Sequence, residues 1–310
     1  MIEIVAQSEA MREAIGLAER VAATDANVLV TGESGAGKDA VASFIHQHSG
    51  RAAQPFVKID CATLPGHLLE AELFGYERGA FTGATETKPG RLESAHGGTL
   101  VLDEIAYLPT DAQAKLLRVI ERREFERLGG RHTIKVDARL IALTNVDLTG
   151  AVERRDFRED LFYRLNVMQI RVPPLRSRAA DLPELARGFL KSYAAKHGRP
   201  LKTIAPAALA LLKLYQFPGN VRELANTIER AVIIAAGKTL EEEDLPDPIK
   251  VSVKLQERRA HPGTLAEIEA AYVSEILTAT KGNKAEAARI LGISRKNLYE
   301  RLARLQKDEG

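Results

Sequence analysis

The sequence predicts an α/β fold with a mostly parallel five-stranded sheet, followed by smaller helical regions. Three observations point to it: five β-branched runs lie within residues 1–172, longer helical patterns separate them, and helical patterns follow. The chain of 310 residues corresponds to about two domains of roughly 150 residues. Apolar residues make up 45% and charged residues 28% of the chain, which excludes a disordered or membrane-embedded protein.

The predicted elements follow one another in a regular order. The predicted strands are Val28–Thr31, Phe56–Asp60, Thr99–Asp103, Arg139–Thr144 and Val167–Val172, with a hairpin between Glu124 and Val136. After Pro173 and Pro174, a helical lid is predicted from helices over Asp181–His197, Pro206–Tyr215 and Val221–Ala236. An acidic run and two prolines then indicate a linker. The predicted domains are 1–172, the lid 173–239, the linker 240–262 and a helical domain 263–310.

Charge and cysteine content narrow the classes of protein further. Lysine and arginine total 44 and aspartate and glutamate total 42, so the overall charge indicates no particular partner. Cys61 is the single cysteine, and we expect it to be a small buried hydrophobe rather than a reactive thiol. The chain has no signal-peptide pattern and no uncharged run of about 18 residues, so we expect a cytoplasmic protein without a membrane span.

The strongest motif follows the first predicted strand. It consists of Gly32, Glu33, Ser34, Gly35, Ala36, Gly37 and Lys38. This spacing is that of a phosphate-binding loop, in which backbone N–H groups and the following helix face a phosphate chain. Lys38 adds an ammonium at the β- and γ-phosphates. Asp39 occupies the position where the usual pattern has a Ser or Thr hydroxyl on magnesium.

A second pair of acids completes the predicted site. Asp103 and Glu104 end an apolar strand, and this places Asp103 at the carboxyl edge of the sheet beside the loop. Asp103 can hold Mg²⁺ directly or through water, while Glu104 can orient and deprotonate the attacking water. The sequence therefore predicts a site for ATP and Mg²⁺.

A third motif makes the sequence recognisable. Residues 72–84 read Glu-Leu-Phe-Gly-Tyr-Glu-Arg-Gly-Ala-Phe-Thr-Gly-Ala. This segment resembles the signature of the AAA+ ATPases that activate sigma-54 RNA polymerase, the bacterial enhancer-binding proteins. The resemblance covers nearly all of residues 4–236, and the tail is similar to the family's Fis-type domain. It implies an AAA+ P-loop NTPase with a parallel five-stranded sheet, an all-α lid and a C-terminal helix-turn-helix domain.

The resemblance also assigns an output loop. Composition alone favours a tight turn in which Phe81 is buried. In the family, the loop rises when nucleotide is bound and contacts sigma-54, with the aromatic and the threonine as essential contacts. The resemblance thus implies sigma-54 contacts by Gly79, Ala80, Phe81, Thr82, Gly83 and Ala84.

Several further roles are implied by the resemblance. Thr144 and Asn145 are similar to the first sensor of the γ-phosphate. Arg158 and Arg164 are similar to arginine fingers that reach into the neighbouring subunit's nucleotide, which requires a ring. Arg222 is similar to the second sensor, in a lid helix that Asn220 can cap. The family usually has Trp at the position of Phe217, a change that should reduce packing area.

One departure from the family affects the residue that is thought to switch the catalytic glutamate between two poses. The family commonly has Asn at the position of Asp60, and that Asn is thought to hold the catalytic glutamate in an inactive pose until sigma-54 engages. Asp60 facing Glu104 would bring two carboxylates together, which requires a shared proton, a cation or water. The switch role of Asp60 is therefore open. Asp39 is a smaller departure because the family often has an acid there.

The last 47 residues predict a DNA-binding domain. Thr264 begins a capping box, Asn283–Leu291 forms the next helix, and Ser294 caps a final helix, which is the helix-turn-helix pattern. Residues 281–307 carry eight basic side chains against two acidic ones. We expect double-stranded DNA to contact Ser294, Arg295, Lys296, Asn297, Tyr299 and Arg301. Of these, Arg295, Lys296 and Asn297 would face the major groove, with Tyr299 and Arg301 nearer the phosphates.

The expected function is an ATP-hydrolysing ring that binds enhancer DNA and remodels the closed complex of sigma-54 RNA polymerase. Six subunits are expected, with seven as the alternative. Two other functions stay open: a regulator of ordinary polymerase with a vestigial ATPase, and an AAA+ helicase or loader acting on DNA. The ATPase pattern begins at about residue 4. We therefore expect control by a separate protein, or its loss through truncation of a longer chain.

Overall fold

The structure is a computed structural model and describes residues 4–251, 269, 272–273, 276–277, 280 and 283–308. These form two compact units that divide between Pro246 and Asp247. The strands are β1 Val28–Thr31, β2 Phe56–Asp60, β3 Gly75–Tyr76, β4 Lys88–Pro89, β5 Thr99–Asp103, β6 Glu124–Glu126, β7 Thr133–Lys135, β8 Arg139–Thr144, β9 Met168–Arg171, β10 Thr203–Ile204 and β11 Thr239–Leu240. The α-helices are α1 Glu9–Ala22, α2 Lys38–Gln47, α3 Gly66–Phe74, α4 Arg91–Ser94, α5 Thr110–Arg122, α6 Leu148–Glu153, α7 Glu159–Leu165, α8 Leu182–Lys196, α9 Pro206–Leu214, α10 Asn220–Ile234, α11 Lys284–Ile290 and α12 Arg295–Asp308.

A five-stranded parallel sheet forms the centre of the first unit, as the sequence predicts. Its strand order is β2-β5-β8-β1-β9. The pairing register places Asp60 beside Asp103 and Thr31 beside Thr144, so these strand ends lie at one edge. Ligands bind at the carboxyl edge of such open sheets, where the strand order reverses.

The sheet carries an apolar layer on each face, because successive side chains along its buried strands point to opposite faces. On one face, Leu29, Leu100 and Leu102 pack with α3 and α5, and Cys61 joins this cluster. Val28, Val30 and Val101 point to the other face, toward α1 and α2. Burial raises the pKa of the Cys61 thiol to about 12, in agreement with the predicted buried hydrophobe. Among the helices the structure describes, none is both long and apolar enough to span a membrane.

Two small hairpins lie beside each other next to the sheet. β3 and β4 pair antiparallel and bracket the output loop, while β6 and β7 form the hairpin predicted between Glu124 and Val136. Leu128 joins the two, since its N–H donates to Gly75 O at 3.0 Å and its carbonyl accepts from Glu77 N at 2.9 Å. The second hairpin therefore supports the base of the output loop.

The lid is formed by α8, α9 and α10, and it extends further than the sequence indicates. β11 crosses the predicted boundary between residues 239 and 240 and pairs with β10, and Leu240 and Leu245 of the predicted linker are buried. The acidic residues of this segment do not indicate a linker in the structure: Glu241 and Asp244 form a capping box around a single 3₁₀ turn, Glu242–Asp244. The last strand of the sheet and the lid helices each differ from prediction by one or two residues at their ends.

The second unit contains the predicted helix-turn-helix. α11 is capped by Asn283, and Ser294 Oγ accepts from Asn297 N at 3.2 Å at the start of α12. Leu298 is buried against Ala287 and Ala288. Val273 is also buried, whereas Tyr272 is exposed. The capping box at Thr264 lies outside the described residues.

Candidate functional site

The predicted phosphate loop connects β1 to α2. Gly35 and Gly37 have φ values of +72° and +105°, which a residue without a Cβ adopts readily. Lys38 begins α2, and its Nζ donates to Gly32 O at 3.0 Å, across the loop. The ammonium is thus held over the concave side of the loop, where a phosphate chain would lie.

Glu104 lies beside this lysine in a strained conformation. Its φ and ψ are 51° and 49°, the left-handed region that non-glycine residues rarely adopt. Lys38 Nζ lies 3.8 Å from Glu104 Oε1, and Asn145 N donates to Glu104 Oε2 at 3.3 Å. The structure therefore brings together Lys38, Glu104 and Asn145, and such strain is characteristic of functional sites.

The first-sensor pair divides into a buried and an exposed residue. Thr144 is fully buried, its carbonyl accepts from Gly32 N at 3.3 Å, and its hydroxyl accepts from Val146 N. Asn145 is exposed at the strand end. The pair thus links the phosphate loop to the Glu104 carboxylate.

The Asp60 carboxylate has a hydrogen-bond partner in its own turn. Its Oδ1 accepts from Ala62 N at 2.8 Å, so the side chain closes its own turn after β2. Glu104 is held by Lys38 and Asn145 instead. The Glu104 carboxylate therefore lies beside an ammonium and a backbone N–H group in this conformation.

Two carboxylates and an ammonium lie at the predicted Mg²⁺ position. Asp103 Oδ1 accepts from Glu104 N at 3.0 Å, and its Oδ2 lies 2.7 Å from Lys58 Nζ. Lys58 also contacts the carboxylate of Asp39. Carboxylate oxygens suit Mg²⁺, and the ammonium shared by these two carboxylates indicates that the position favours a cation. The residues therefore fit a magnesium ion.

The lid lies directly on the phosphate loop. Arg222 Nη1 donates to Ser34 Oγ at 3.0 Å, and the N–H groups of Val221 and Arg222 donate to Gly35 O at 3.0 and 3.3 Å. A Cβ at Gly35 would lie 2.4 Å from Gly219 O, so only glycine permits this approach. Arg222 is thus brought to the loop by the start of α10.

Asn220 does not cap α10 as predicted, because its side chain turns toward the phosphate loop. Gly219 is the N-cap residue, and Asn220 is fully buried with φ +53°. Its Nδ2 donates to Ser34 O at 3.0 Å and Glu33 Oε2 at 3.1 Å, while its Oδ1 accepts from Leu175 N at 2.8 Å. One amide therefore ties the lid helix to the loop and to the 3₁₀ turn Leu175–Ser177 that precedes α8.

Glu33 receives a second partner from the 3₁₀ turn Leu175–Ser177. Arg176 donates two hydrogen bonds to its carboxylate, at 2.7 and 2.5 Å. Hydrogen bonds from Arg176 and Asn220 lower the pKa of Glu33 to about 2. Glu33 is therefore an anion across neutral pH, although it belongs to a loop built to face phosphates.

Replacing Asn220 tests this connection. Asn220→Ala should lower the free energy of unfolding by about 2 to 4 kcal/mol, because it strains a positive φ and leaves the buried Leu175 N–H unpaired. Asn220→Gly loses the same hydrogen bonds without the strain, and it should be about 1 kcal/mol more stable than the alanine variant. Thermal unfolding of the full chain measures both, and equal stability of the two variants would show that the positive φ carries no cost.

No sequence motif indicates the cavity and the two buried charges that lie near the loop. Asp181 is fully buried and accepts from Gln7 N and Ser8 N, both at 2.6 Å. Arg178 Nη2 donates to Ala36 O at 2.5 Å. Together they join the N-terminal segment and the start of α8 to the phosphate loop. The cavity, of about 500 Å³, is lined by Ile4, Val5, Ala6, Gln7, Glu184, Leu185, Gly188, Phe189, Lys191 and Ser192.

The two predicted arginine fingers each pair with a carboxylate outside the phosphate loop. Arg158 pairs with Asp160 at 2.7 Å, and Arg164 pairs with Glu121 at 3.2 Å. Their side chains are 41% and 61% exposed. Both guanidinium groups are therefore accessible from outside the chain.

The output loop is compact, with an exposed tip. Gly79 N donates to Ala84 O at 2.8 Å, and Gly79 and Gly83 have positive φ values. Phe81 is 39% exposed with its ring 5.0 Å from that of Tyr76, and Thr82 is exposed. The aromatic is therefore not buried in the core, which composition alone would favour.

Arg127 and Gly129 brace the loop from the second hairpin. Arg127 pairs with Glu77 at 2.9 Å and with Glu93 at 2.7 Å. A Cβ at Gly129 would lie 2.8 Å from the Cβ of Ala80, so glycine allows the two turns to touch. The exposed tip thus stands on a fixed base.

The predicted DNA-contacting residues differ in how far they are engaged within their own unit. Ser294, Arg295, Lys296, Asn297 and Tyr299 are exposed. Arg301 pairs with Glu269, and its Nε donates to Asn297 Oδ1 at 3.0 Å. Arg301 is thus partly engaged within its own unit, and Arg295 and Lys296 are the more accessible cations.

Three family models match the chain: the sigma-54 interaction domain over residues 4–171, the AAA+ ATPase lid domain over residues 176–262, and the Fis family of bacterial regulatory proteins over residues 264–305. Regulatory protein AtoC of Escherichia coli (strain K12) is 45% identical over 307 residues, which cover 96% of this chain and 67% of AtoC. The Nif-specific regulatory protein of Azotobacter vinelandii is 45% identical over 309 residues, 97% of this chain and 58% of that protein. The crystal structure of NtrX from Brucella abortus in complex with ATP has a TM-score of 0.72 and 38% identity, covering 98% of this chain and 69% of NtrX.

Proposed function

Since this chain belongs to the sigma-54-dependent transcriptional activators, with an AAA+ ATPase domain and a Fis-type helix-turn-helix domain, we propose that it hydrolyses ATP in a ring and uses the cycle to remodel the closed complex of sigma-54 RNA polymerase on DNA. One observation carries the proposal: Lys38, Glu104 and Asn145 from three elements, and Arg222 from the lid, converge on one phosphate loop. The ATP complex of NtrX supports the nucleotide assignment.

The chemistry follows from these positions. Glu104 accepts a proton from a water molecule, whose oxygen attacks the γ-phosphorus as the bond to the β-γ bridging oxygen breaks. Lys38 and Arg222 offset the charge on the phosphate oxygens, and Asn145 orients the water or the γ-phosphate. The strained backbone of Glu104 keeps the carboxylate beside Lys38 before substrate arrives.

Asp103 would hold the magnesium ion of Mg-ATP, directly or through water. The ion supplies positive charge that offsets the phosphate oxygens when it is bound. Asp39 lies on the other side of the same position, where it can order water in the coordination shell. Asp60 could act on Glu104 as a switch only after leaving its bond to Ala62.

The base of ATP is proposed to bind in the 500 Å³ cavity beside α8. Its lining combines apolar residues, among them Ile4, Val5, Leu185 and Phe189, with the polar side chains of Gln7, Glu184, Lys191 and Ser192. Such a mixture suits a purine, which packs its faces on apolar groups and is oriented by polar contacts at its edge. Asp181 and Arg178 connect the cavity walls to the phosphate loop. The distance between the base in the cavity and the phosphates at the loop would then be set by the buried side chains of Asp181 and Arg178.

Gly188 provides a test of this cavity. No atom lies within 4 Å of a Cβ built at Gly188, so a side chain there extends into open space. Gly188→Trp should weaken ATP binding at least about tenfold by filling the cavity, while Gly188→Ala should stabilise α8 by about 0.5 to 1 kcal/mol and keep the affinity. Calorimetric titration with ATP measures both variants. Unchanged affinity in a folded tryptophan variant would place the base elsewhere.

Two further steps convert hydrolysis into output. Arg158 and Arg164 act on the nucleotide of a neighbouring subunit, which their exposure supports. Phe81 and Thr82 contact sigma-54 RNA polymerase from the loop tip, whose base is fixed by Arg127. Arg295 and Lys296 bind enhancer DNA, which keeps the ring near its promoter.

Promoter opening tests the proposed function directly. The full chain, sigma-54 RNA polymerase and a supercoiled template with a sigma-54 promoter are combined with or without ATP, and unpaired thymines are detected by permanganate. We expect opening only with hydrolysable ATP. Absence of opening despite DNA binding would favour a regulator with a vestigial ATPase, and unwinding of promoter-free DNA would favour a helicase or loader.

A further inference from the structure

Lys58 lies between the two carboxylates that frame the magnesium position. Its Nζ is 2.7 Å from Asp103 Oδ2 and contacts the carboxylate of Asp39 as well. The side chain is 38% exposed and that of Asp103 is 16% exposed, so this ion pair is less hydrated than a free surface pair. Neither the phosphate-loop pattern nor the two acids after β5 points to this lysine.

The alternation of β2 brings Lys58 to this place. Phe56, Lys58 and Asp60 share one face of the strand, while Ile59 points to the opposite core. The Phe56 ring lies 4.9 Å from that of His46 in α2, so this face looks onto α2, where Asp39 lies in the first turn. The next strand, β5, ends at Asp103 with Asp60 as its register partner.

The three groups form a partly neutralised cluster. Burial alone would lower the pKa of Lys58, but hydrogen bonds to Asp103 and Asp39 outweigh it and raise the pKa. Lys58 is therefore cationic at neutral pH. Without it, two carboxylates would face each other across the position that a divalent ion takes.

We propose that Lys58 is a positioning residue that occupies the cation position beside Asp103 and keeps free divalent ions out until Mg²⁺ arrives with ATP. This rests on the proposed function, because it takes Asp103 as the magnesium ligand. An ammonium within hydrogen-bond distance of Asp103 repels a divalent ion bound to the same carboxylate. The phosphates of ATP add negative charge that the ammonium can contact instead. The repulsion between Lys58 and the divalent ion therefore falls when the nucleotide enters.

Binding of Mn²⁺ without nucleotide tests the proposal. Free Mn²⁺ is measured by electron paramagnetic resonance during titration of the full chain. Lys58→Met and Lys58→Gln should bind one Mn²⁺ at least about tenfold more tightly than the unmodified chain, because a positive charge about 4 Å from the ion is gone. Lys58→Arg should bind as weakly as the unmodified chain. Asp103→Asn added to Lys58→Met should abolish the gain.

Lys115→Met is the matched control. Lys115 pairs with Glu70 at 2.7 Å and is 40% exposed, so its loss also leaves an unpaired carboxylate, but outside the nucleotide site. The proposal is overturned if folded Lys58→Met and Lys58→Gln chains bind Mn²⁺ no more tightly than Lys115→Met, or if the gain survives Asp103→Asn. An inactive ATPase in the unmodified chain would contradict the proposed function and not this result, because the titration contains no nucleotide.

Discussion

Replacing Glu104 with alanine is expected to leave ATP binding nearly unchanged and to lower hydrolysis by about 10²- to 10⁴-fold. The phosphate loop, Lys38, Asp103 and Arg222 remain in place, so the contacts to the phosphates are kept. The group that accepts the proton of the attacking water is lost. Calorimetric titration with ATP and single-turnover hydrolysis separate the two effects.

Two variants control for the change at Glu104. Glu104→Gln keeps an acceptor for Asn145 N–H but cannot act as a base, so it should be as inactive as the alanine variant. Glu229→Ala removes a lid carboxylate that pairs with Lys196 at 2.8 Å, and it should hydrolyse ATP at the unmodified rate. Hydrolysis at near the unmodified rate by Glu104→Gln would assign the general base to another residue.

Replacing either proposed arginine finger should lower hydrolysis by about 10³-fold or more, since a guanidinium supplied in trans contributes about 10³ to 10⁵ to the rate of phosphoryl transfer. In the unmodified chain, ATPase activity per subunit should rise with protein concentration as rings form. Arg158→Ala and Arg164→Ala should abolish that rise. Arg154→Ala is the matched control, because Arg154 is 61% exposed, as Arg164 is, and pairs with Asp156.

A mixing experiment separates action in trans from a local defect. Arg158→Ala subunits keep Glu104, and Glu104→Ala subunits keep both fingers. Mixed rings should therefore recover part of the activity that neither variant has alone. Recovery no greater than the sum of the separate rates would contradict catalysis across a subunit interface.

The sequence predicts most of the sheet because its signal is local. Four of the five central strands have the predicted bounds, since a buried parallel strand is a continuous apolar run that ends at polar residues. The hairpin between β6 and β7 is also predicted correctly, because a tight turn is a local signal as well. By contrast, Leu240 and Leu245 belong to a lid core that only the folded chain assembles, so an acidic run conceals them.

The site is predictable where it follows a spacing and not where it depends on distant contacts. Lys38, Asp103 and Glu104 lie in motifs, and the structure places them together. Asn220 reads as a helix cap, because nothing local indicates that its amide reaches Glu33 and Ser34. Lys58 reads as a surface residue of an edge strand, and its contact with Asp103 depends on the pairing of β2 with β5.

We propose above all that the tip of the output loop couples the ATP cycle to sigma-54. It is tested by sigma-54 binding to the full chain trapped with ADP and aluminium fluoride, a transition-state analogue, with ATPase activity measured in parallel. Phe81→Ala and Thr82→Ala should lose this binding while hydrolysis stays within a few-fold of the unmodified rate, because neither residue contacts the phosphate loop. Phe56→Ala, which removes a phenylalanine that is also 39% exposed but lies in β2, should keep both activities. Full sigma-54 binding by Phe81→Ala and Thr82→Ala would show that the loop is structural and contradict the account.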